Sequence, residues 1–263
     1  KPNDTHGSLM TEFDDRDLPR FFLNTTPMKP SVISGYMNKG LSETVCAVSQ
    51  GSMMQIESRI ERIYRNTATD KLMLNRYLLP SPDQPAFIEK YVFKNVDDHS
   101  MDVTMEYAFK EIRTDTLYST SGPHKIFLYT LNDGVKRLQP GDSAVFAVVY
   151  QAVRNGETLL KVDPEKEYAG RINRVQSIME HLTLVTPDTI LNTAFEFAKL
   201  RVGESIYKTK NGLINSPGGL RYYAAIWAND QAEYTGPYFG YAGYGPGTEA
   251  ATNAYDWFSG YMN

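Results

Sequence analysis

One segment, GLRYYAAIWANDQAEYTGPYFGYAG (residues 219–243), combines aromatic rings with hydrogen-bonding side chains. Aromatic faces cover the apolar C–H faces of a sugar ring, while carboxylates and amides pair with neighbouring hydroxyls. Gly and Pro place such a segment at the surface, where aromatic residues either pack together or bind something. The composition favours a carbohydrate site, and the alternative is a tyrosine-rich loop folded on its own rings. The candidate sugar-contacting residues are Arg221, Trp227, Asn229, Asp230, Glu233 and Tyr234.

Asp230 and Glu233 are two carboxylates three residues apart, and they would share one face if this segment turned helically. Cleavage of a glycosidic bond needs two carboxyl groups that flank the bond from opposite sides. A pair this close in sequence does not usually meet that requirement. Three roles stay open for these residues: catalysis, contact with a substrate, or a structural salt bridge for which Arg221 is the nearest partner.

The distribution of charge sets the last part of the chain apart. Residues 222–263 contain no Lys or Arg, four of the 31 carboxylates and twelve of the 32 aromatic residues. The remaining residues, 1–221, carry 27 basic and 27 acidic side chains and are formally neutral. No basic stripe offers a face for phosphates, so nucleic acid is not an expected partner.

Cysteine, histidine and hydropathy exclude several classes of protein. Cys46 is the single cysteine, which excludes an internal disulfide and a cysteine metal site, and we expect it to be a small buried side chain. The four histidines show no metal-ligand spacing, so neither a metal nor a cofactor is expected. No run of about 18 apolar residues could span a membrane. The first residue is Lys, so either a leader was removed or the sequence begins inside a longer chain. The expected location is periplasmic or secreted.

Residues 21–160 show mainly the signals of strands. Val103, Met105 and Tyr107 alternate with polar residues, as in a sheet with one solvated face. Turns are indicated at residues 97–100 and 132–134, while residues 55–66 fit a strand or a short helix. At least six strands without helical crossovers predict an antiparallel sandwich.

Helical signals begin near residue 170. TPDTILNTAFEFAKLRVGESIY (186–207) predicts a helix with Thr186 at the N-cap and Pro187 in the first turn. A long loop is predicted over residues 209–246, and a second helix follows from Gly247.

Three stretches together resemble the bacterial six-hairpin glycosidases: LQPGDSAVFAVVYQA (138–152), the helix above, and GGLRYYAAIWANDQAEYTGPYFGY (218–241). The resemblance implies a mainly β fold, with an antiparallel β-supersandwich, a linker helix and an incomplete α-helical toroid segment. Residues 1–20 are polar and aperiodic and predict an extended arm. With the resemblance, the further expected divisions are the sandwich (21–168), a linker-helix region (169–186), and the first toroid helices with a substrate loop (187–263).

By the same resemblance, Asp230 holds sugar hydroxyls, Trp227 forms an aromatic wall, and Arg221 and Glu233 are supporting polar groups. A six-hairpin toroid has twelve helices, and the general acid and base in this family come mainly from the later ones, so they are expected beyond Asn263. The expected function is the N-terminal part of a glycoside hydrolase, inactive as this fragment, with a carbohydrate substrate. The alternative is a non-catalytic carbohydrate-binding or assembly module, and the expected protein partner is a second copy or a missing C-terminal catalytic half.

Overall fold

The structure is a computed structural model of the 263-residue chain. It describes residues 15–28, 42–50, 53–64, 67–114, 123–154, 156–209, 212–216 and 226–262. These form two compact units: the helical unit comprises the described residues from Ile172 onward, and the sandwich unit comprises those before it. Most of the predicted arm and all of Arg221 lie outside the described residues, as does the side chain of Cys46.

The sandwich unit consists of two antiparallel sheets, which confirms the predicted fold class. The larger sheet has the strand order β3-β4-β5-β6-β11-β9-β8, and the smaller one has the order β10-β7-β1-β2. The strands are β1 (Phe21–Leu23), β2 (Thr26–Met28), β3 (Ser42–Gln50), β4 (Met53–Tyr64), β5 (Thr67–Pro80), β6 (Ala86–Asn95), β7 (Met101–Met105), β8 (Phe109–Arg113), β9 (His124–Leu131), β10 (Gly134–Leu138) and β11 (Ser143–Arg154).

Alternation along β7 explains how its sheet contributes to the core. Val103 and Met105 are fully buried, as predicted, because side chains two residues apart share one face of a strand. Tyr107 is 69% exposed, contrary to the prediction, because β7 ends at Met105 and the alternation ends with it. The ring of Phe21 on the neighbouring strand β1 lies 5.6 Å from that of Phe93, so the two sheets share one apolar core.

The turn at residues 132–134 connects the two sheets instead of closing a hairpin. Asn132 and Gly134 both have positive φ, as a tight turn requires. However, β9 pairs with β8 and β11, whereas β10 pairs with β7. The predicted turn at residues 132–134 is therefore confirmed. The two strands that it connects, β9 and β10, pair in different sheets. Residues 55–64, left open between strand and helix, belong to β4.

The described part of the helical unit contains α-helices of 7 to 17 residues and a two-stranded hairpin. Its elements, with the helix that leads into them, are α1 (Pro164–Glu180), α2 (Thr189–Glu204), β12 (Ile206–Thr209), β13 (Gly212–Asn215), a π-turn (Asp230–Thr235), α3 (Gly236–Ala242) and α4 (Gly245–Ser259). Apolar side chains from α1, α2, α3 and α4 form its core, among them Ile178, Leu200, Phe239 and Ala250. None of the described helices is long and apolar enough to cross a membrane.

The predicted N-cap of α2 is wrong by two residues. The carboxylate of Asp188 accepts the backbone N–H groups of Ile190 (2.9 Å) and Leu191 (3.2 Å), which makes Asp188 the cap. The hydroxyl of Thr186 accepts the N–H of Asp188 and so holds the chain just before the helix. Both residue types cap helices, so their sequence could not decide between them.

The predicted loop over residues 209–246 is also wrong in its described part. The structure places a hairpin, the π-turn and α3 there, and α4 already begins at Gly245. Pro237 and Pro246 lie in first turns, where their missing N–H groups cost nothing. Gly243 ends α3 in the left-handed conformation at φ 67°. Gly and Pro therefore mark helix ends here, although the same residues in the sequence favour a loop.

Candidate functional site

Five of the six predicted sugar-contacting residues lie on the π-turn or directly before it, and the sixth, Arg221, lies outside the described residues. Trp227 is 40% exposed and Tyr234 is 62% exposed. Asn229 and Glu233 are exposed, and Asp230 is half-buried. The segment thus brings aromatic rings, an amide and two carboxylates to the surface within one short helical region.

The condition of the prediction is met, because Asp230 and Glu233 lie on a helical segment, the π-turn; that they share one face stays a prediction. Gly236 donates its backbone N–H to Gln231 O, the bond to the fifth preceding residue that defines this geometry. Both carboxylates lie in the first helical turn, where the positive end of the helix dipole favours them. Because one turn carries both groups, they do not flank a bond from two sides, and contact with a ligand is favoured over catalysis.

Aromatic residues continue from the π-turn along α3. Tyr234, Tyr238 and Tyr241 follow at spacings of four and three residues, and Tyr241 is 84% exposed. Tyr238 packs on Phe239 with 5.4 Å between ring centroids, and burial first, then the charge of Glu196, raises its pKa. Tyr241 was in the quoted segment but not among the predicted contacts, because its exposure depends on the helical phase of α3.

A second polar constellation lies inside the sandwich unit and was not predicted. The carboxylate of Glu89 on β6 accepts the guanidinium of Arg76 (2.5 Å) and the hydroxyls of Tyr91 (2.6 Å) and Tyr150 (3.0 Å). Burial first, then the neighbouring Glu89 carboxylate, raises the pKa of both tyrosines. The charges of Glu89 and Arg76 are thus paired inside the sandwich. Since these groups lie on three different strands, no sequence motif predicts the cluster.

One group of described residues could in principle hold a cation. Asp97, Asp98 and His99 have ligand atoms within 4.8 Å of one another in the turn between β6 and β7. The ring of His99 already contacts carboxylates: Nε2 is 3.1 Å from Asp70 Oδ1, and Nδ1 is 3.2 Å from Asp98 Oδ1. Asp70 is buried and also accepts the side-chain amide of Asn24 at 3.2 Å. These contacts explain the cluster as an ion-paired turn.

The His99 pair predicts a pH dependence of stability. Hydrogen bonding to Asp70, then to Asp98, raises the pKa of His99 above its ordinary value of about 6.5. The stabilisation is therefore complete below about pH 6.5 and is lost as the pH rises through the raised pKa of the folded state. We expect His99→Gln to flatten the decline in Tm of the sandwich unit from pH 6 to pH 9, measured by the amide I infrared band of the strands during heating.

Ser100→Ala is the matched control for this experiment. Ser100 lies in the same turn and accepts a hydrogen bond from Arg137 at 3.1 Å, but it does not titrate in this range. The control should keep the wild-type slope of Tm against pH. An equally steep slope in His99→Gln would refute the assignment of the pH dependence to His99.

The comparisons with known proteins bear on the fold. No protein-family model matches the chain, and no curated protein matches it in sequence. Its fold is similar to that of a solved structure described as "Putative kojibiose phosphorylase from human microbiome", with a TM-score of 0.53 and 11% sequence identity. The match covers 85% of this chain and 36% of that chain, so the present chain spans about a third of its neighbour's length.

Proposed function

We propose that this chain forms part of an enzyme that acts on glycosidic bonds, and that residues 226–243 contact the sugar. The observation that carries the proposal is the exposed set of aromatic, carboxylate and amide side chains on the π-turn and α3, in a region without Lys or Arg. The fold neighbour described as a kojibiose phosphorylase supports a carbohydrate ligand.

Different side chains of this segment would contact different parts of a sugar. Trp227 offers a flat apolar face for the C–H groups of a pyranose ring. Asp230 and Glu233 accept hydrogen bonds from hydroxyls, and Asn229 both donates and accepts them. Because Asp230 is half-buried, its hydrogen bonds to a ligand are better shielded from water than those of Glu233.

The proposed reaction is hydrolysis of a glycosidic bond through an oxocarbenium-like transition state: a carboxylic acid protonates the leaving oxygen, and water, deprotonated by a carboxylate, supplies the hydroxyl that ends on the anomeric carbon. Asp230 and Glu233 lie in one turn, so we assign them to sugar binding and not to the acid and base of the cleavage step. The chain alone is then expected to bind a sugar without cleaving it. Release of glucose from kojibiose, measured with and without inorganic phosphate, checks this expectation, and release by the chain alone would contradict it.

Asp230→Asn should weaken sugar binding about tenfold, because a charged hydrogen bond exceeds a neutral one by roughly 1–1.5 kcal/mol. The measurement uses a Trp257→Phe background, in which Trp227 is the only tryptophan left. Kojibiose is titrated while the emission of Trp227 is followed. We expect the emission to change saturably with kojibiose. The Kd fitted to this change should be higher for the Asp230→Asn variant.

Asp256→Asn provides the matched control, since Asp256 is an exposed aspartate on α4 of the same unit. Its Kd should equal that of the Trp257→Phe background. Equal Kd values for Asp230→Asn and Asp256→Asn would remove Asp230 from the site. If kojibiose and maltose both leave the emission of Trp227 unchanged, the proposed carbohydrate function fails.

A second candidate is an assembly module, and the surface of α2 favours it. Ile190 is 80% exposed, Leu191 is 50% exposed and Phe197 is 51% exposed. An exposed patch of apolar side chains on one helix is typical of a surface that binds another protein. A light-scattering mass of twice 29.7 kDa without sugar binding would favour this candidate over the enzyme.

A further inference from the structure

The π-turn is tied together by a buried glutamine. Gln231 is 1% exposed, and its side-chain amide donates to the backbone oxygen of Asn215 at 3.0 Å. Its Oε1 lies 3.2 Å from the hydroxyl of Thr235, which is 6% exposed and also lies 3.2 Å from Asp230 O. Both ends of the Gln231 amide are therefore engaged, one inside the turn and one on β13.

The backbone of the turn is closed by a glycine and a tyrosine. Gln231 O accepts the N–H of Gly236 and the hydroxyl of Tyr255, the latter at 3.4 Å. A Cβ on Gly236 would lie 2.5 Å from both Gln231 O and Tyr255 Oη. Any residue larger than glycine would force these atoms apart, so the close approach depends on Gly236.

The network continues from β13 to the end of α2. The side-chain amide of Asn215, which is fully buried, donates to Val202 O at 3.1 Å. Three buried polar side chains thus connect α2, β13 and the π-turn. Apolar residues usually give as much stability in such positions, whereas a hydrogen-bonded network fixes one arrangement of the backbone.

We propose that Gln231 and Thr235 are positioning residues for the carbohydrate site, and this inference rests on the proposed function. A π-turn holds one residue more than an α-turn, so side chains before it are rotated about 100° around the helix axis relative to those after it. The hydrogen bonds of Gln231 and Thr235 hold this rotation in place. They thereby set the direction of Trp227 and Asp230 relative to the tyrosines of α3.

Thr235→Val tests the inference because valine has nearly the same shape and lacks the hydroxyl that contacts Gln231. In the Trp257→Phe background, well below the Tm, we expect Thr235→Val to raise the Kd for kojibiose at least tenfold. Thr235→Ser keeps the hydroxyl and should restore the Kd to within about threefold of the background. A residue that only stabilises the fold would lower the Tm and leave the Kd of the folded protein unchanged.

Thr252→Val is the matched control. Thr252 is exposed on α4, and its hydroxyl bonds to Thr248 O one turn back at 2.9 Å, so the same group is removed away from the π-turn. Its Kd should not change. A Kd for Thr235→Val within twofold of the background, with sugar binding intact, overturns the positioning role and leaves the proposed function standing. No binding by the unsubstituted chain overturns both.

Discussion

Replacing Lys199 with Met is expected to lower the free energy of unfolding of the helical unit by about 3 kcal/mol. Lys199 is 1% exposed, and its ammonium group donates to the backbone oxygens of Met179 (2.7 Å), His181 (2.9 Å) and Leu182 (3.1 Å). These carbonyls lie at the C-terminal end of α1, where the last turn has no partners within the helix. The ammonium group therefore caps one helix from the middle of another.

The methionine variant keeps the apolar stem of Lys199 and removes only the charged group. Each hydrogen bond from a charged donor contributes roughly 1.5–3 kcal/mol, and the favourable interaction with the helix dipole is lost with them. Leu182 is 40% exposed, so water replaces part of what is lost at that end. For this reason the expected loss of unfolding free energy is smaller than the sum of three full hydrogen bonds.

The fluorescence of tryptophan measures this loss in the helical unit alone, because Trp227 and Trp257 are the only tryptophans of the chain. When urea unfolding is followed by the emission of these tryptophans, the midpoint for Lys199→Met should lie at a lower urea concentration than that of the unsubstituted protein. Lys208→Met, at an exposed lysine on β12, is the matched control and should change stability little. Equal midpoints for the two variants would show that the Lys199 cap does not stabilise the unit.

Replacing Glu89 with Gln should destabilise the sandwich unit by about 3 kcal/mol. The Glu89 carboxylate is 11% exposed and contacts the guanidinium of Arg76, itself 13% exposed, together with two tyrosine hydroxyls. A neutral amide in place of the carboxylate leaves the charge of Arg76 poorly compensated inside the sheet. Removal of one partner from a buried pair costs more than the pair itself contributes.

Pulsed amide hydrogen exchange of peptides from β5, β6 and β11 follows the strands of this unit during urea unfolding. Glu111→Gln is the matched control, because Glu111 forms a more exposed pair with Arg113 on β8. We expect the urea midpoint of unfolding to fall strongly for Glu89→Gln and to change little for the control. A double variant, Arg76→Leu with Glu89→Leu, should be more stable than Glu89→Gln, since it removes both charges. If Glu89→Gln unfolds at the same urea concentration as the control, the buried cluster does not stabilise the sandwich.

Local patterns in the sequence were sufficient to predict the class of fold and much of its secondary structure. The alternation that buries Val103 and Met105 is visible in the chain itself, because side chains of a strand point to opposite faces in turn. Apolar spacing and helix-starting residues similarly predicted α2 and α4. The concentration of rings and carboxylates in residues 226–243 also comes directly from the sequence, although their role in binding sugar stays a prediction.

Only the tertiary structure decided which distant groups meet. Lys199 caps α1 from α2, and Glu89 on β6 meets Arg76 on β5 and Tyr150 on β11; neither contact has a signature in the neighbouring residues. The π-turn belongs to the same category, because Gln231 takes its partner from β13 and Gly236 must admit Tyr255 of α4. Periodicity reports which face of an element is apolar, whereas these contacts depend on how separate elements pack, and that is settled by the whole chain.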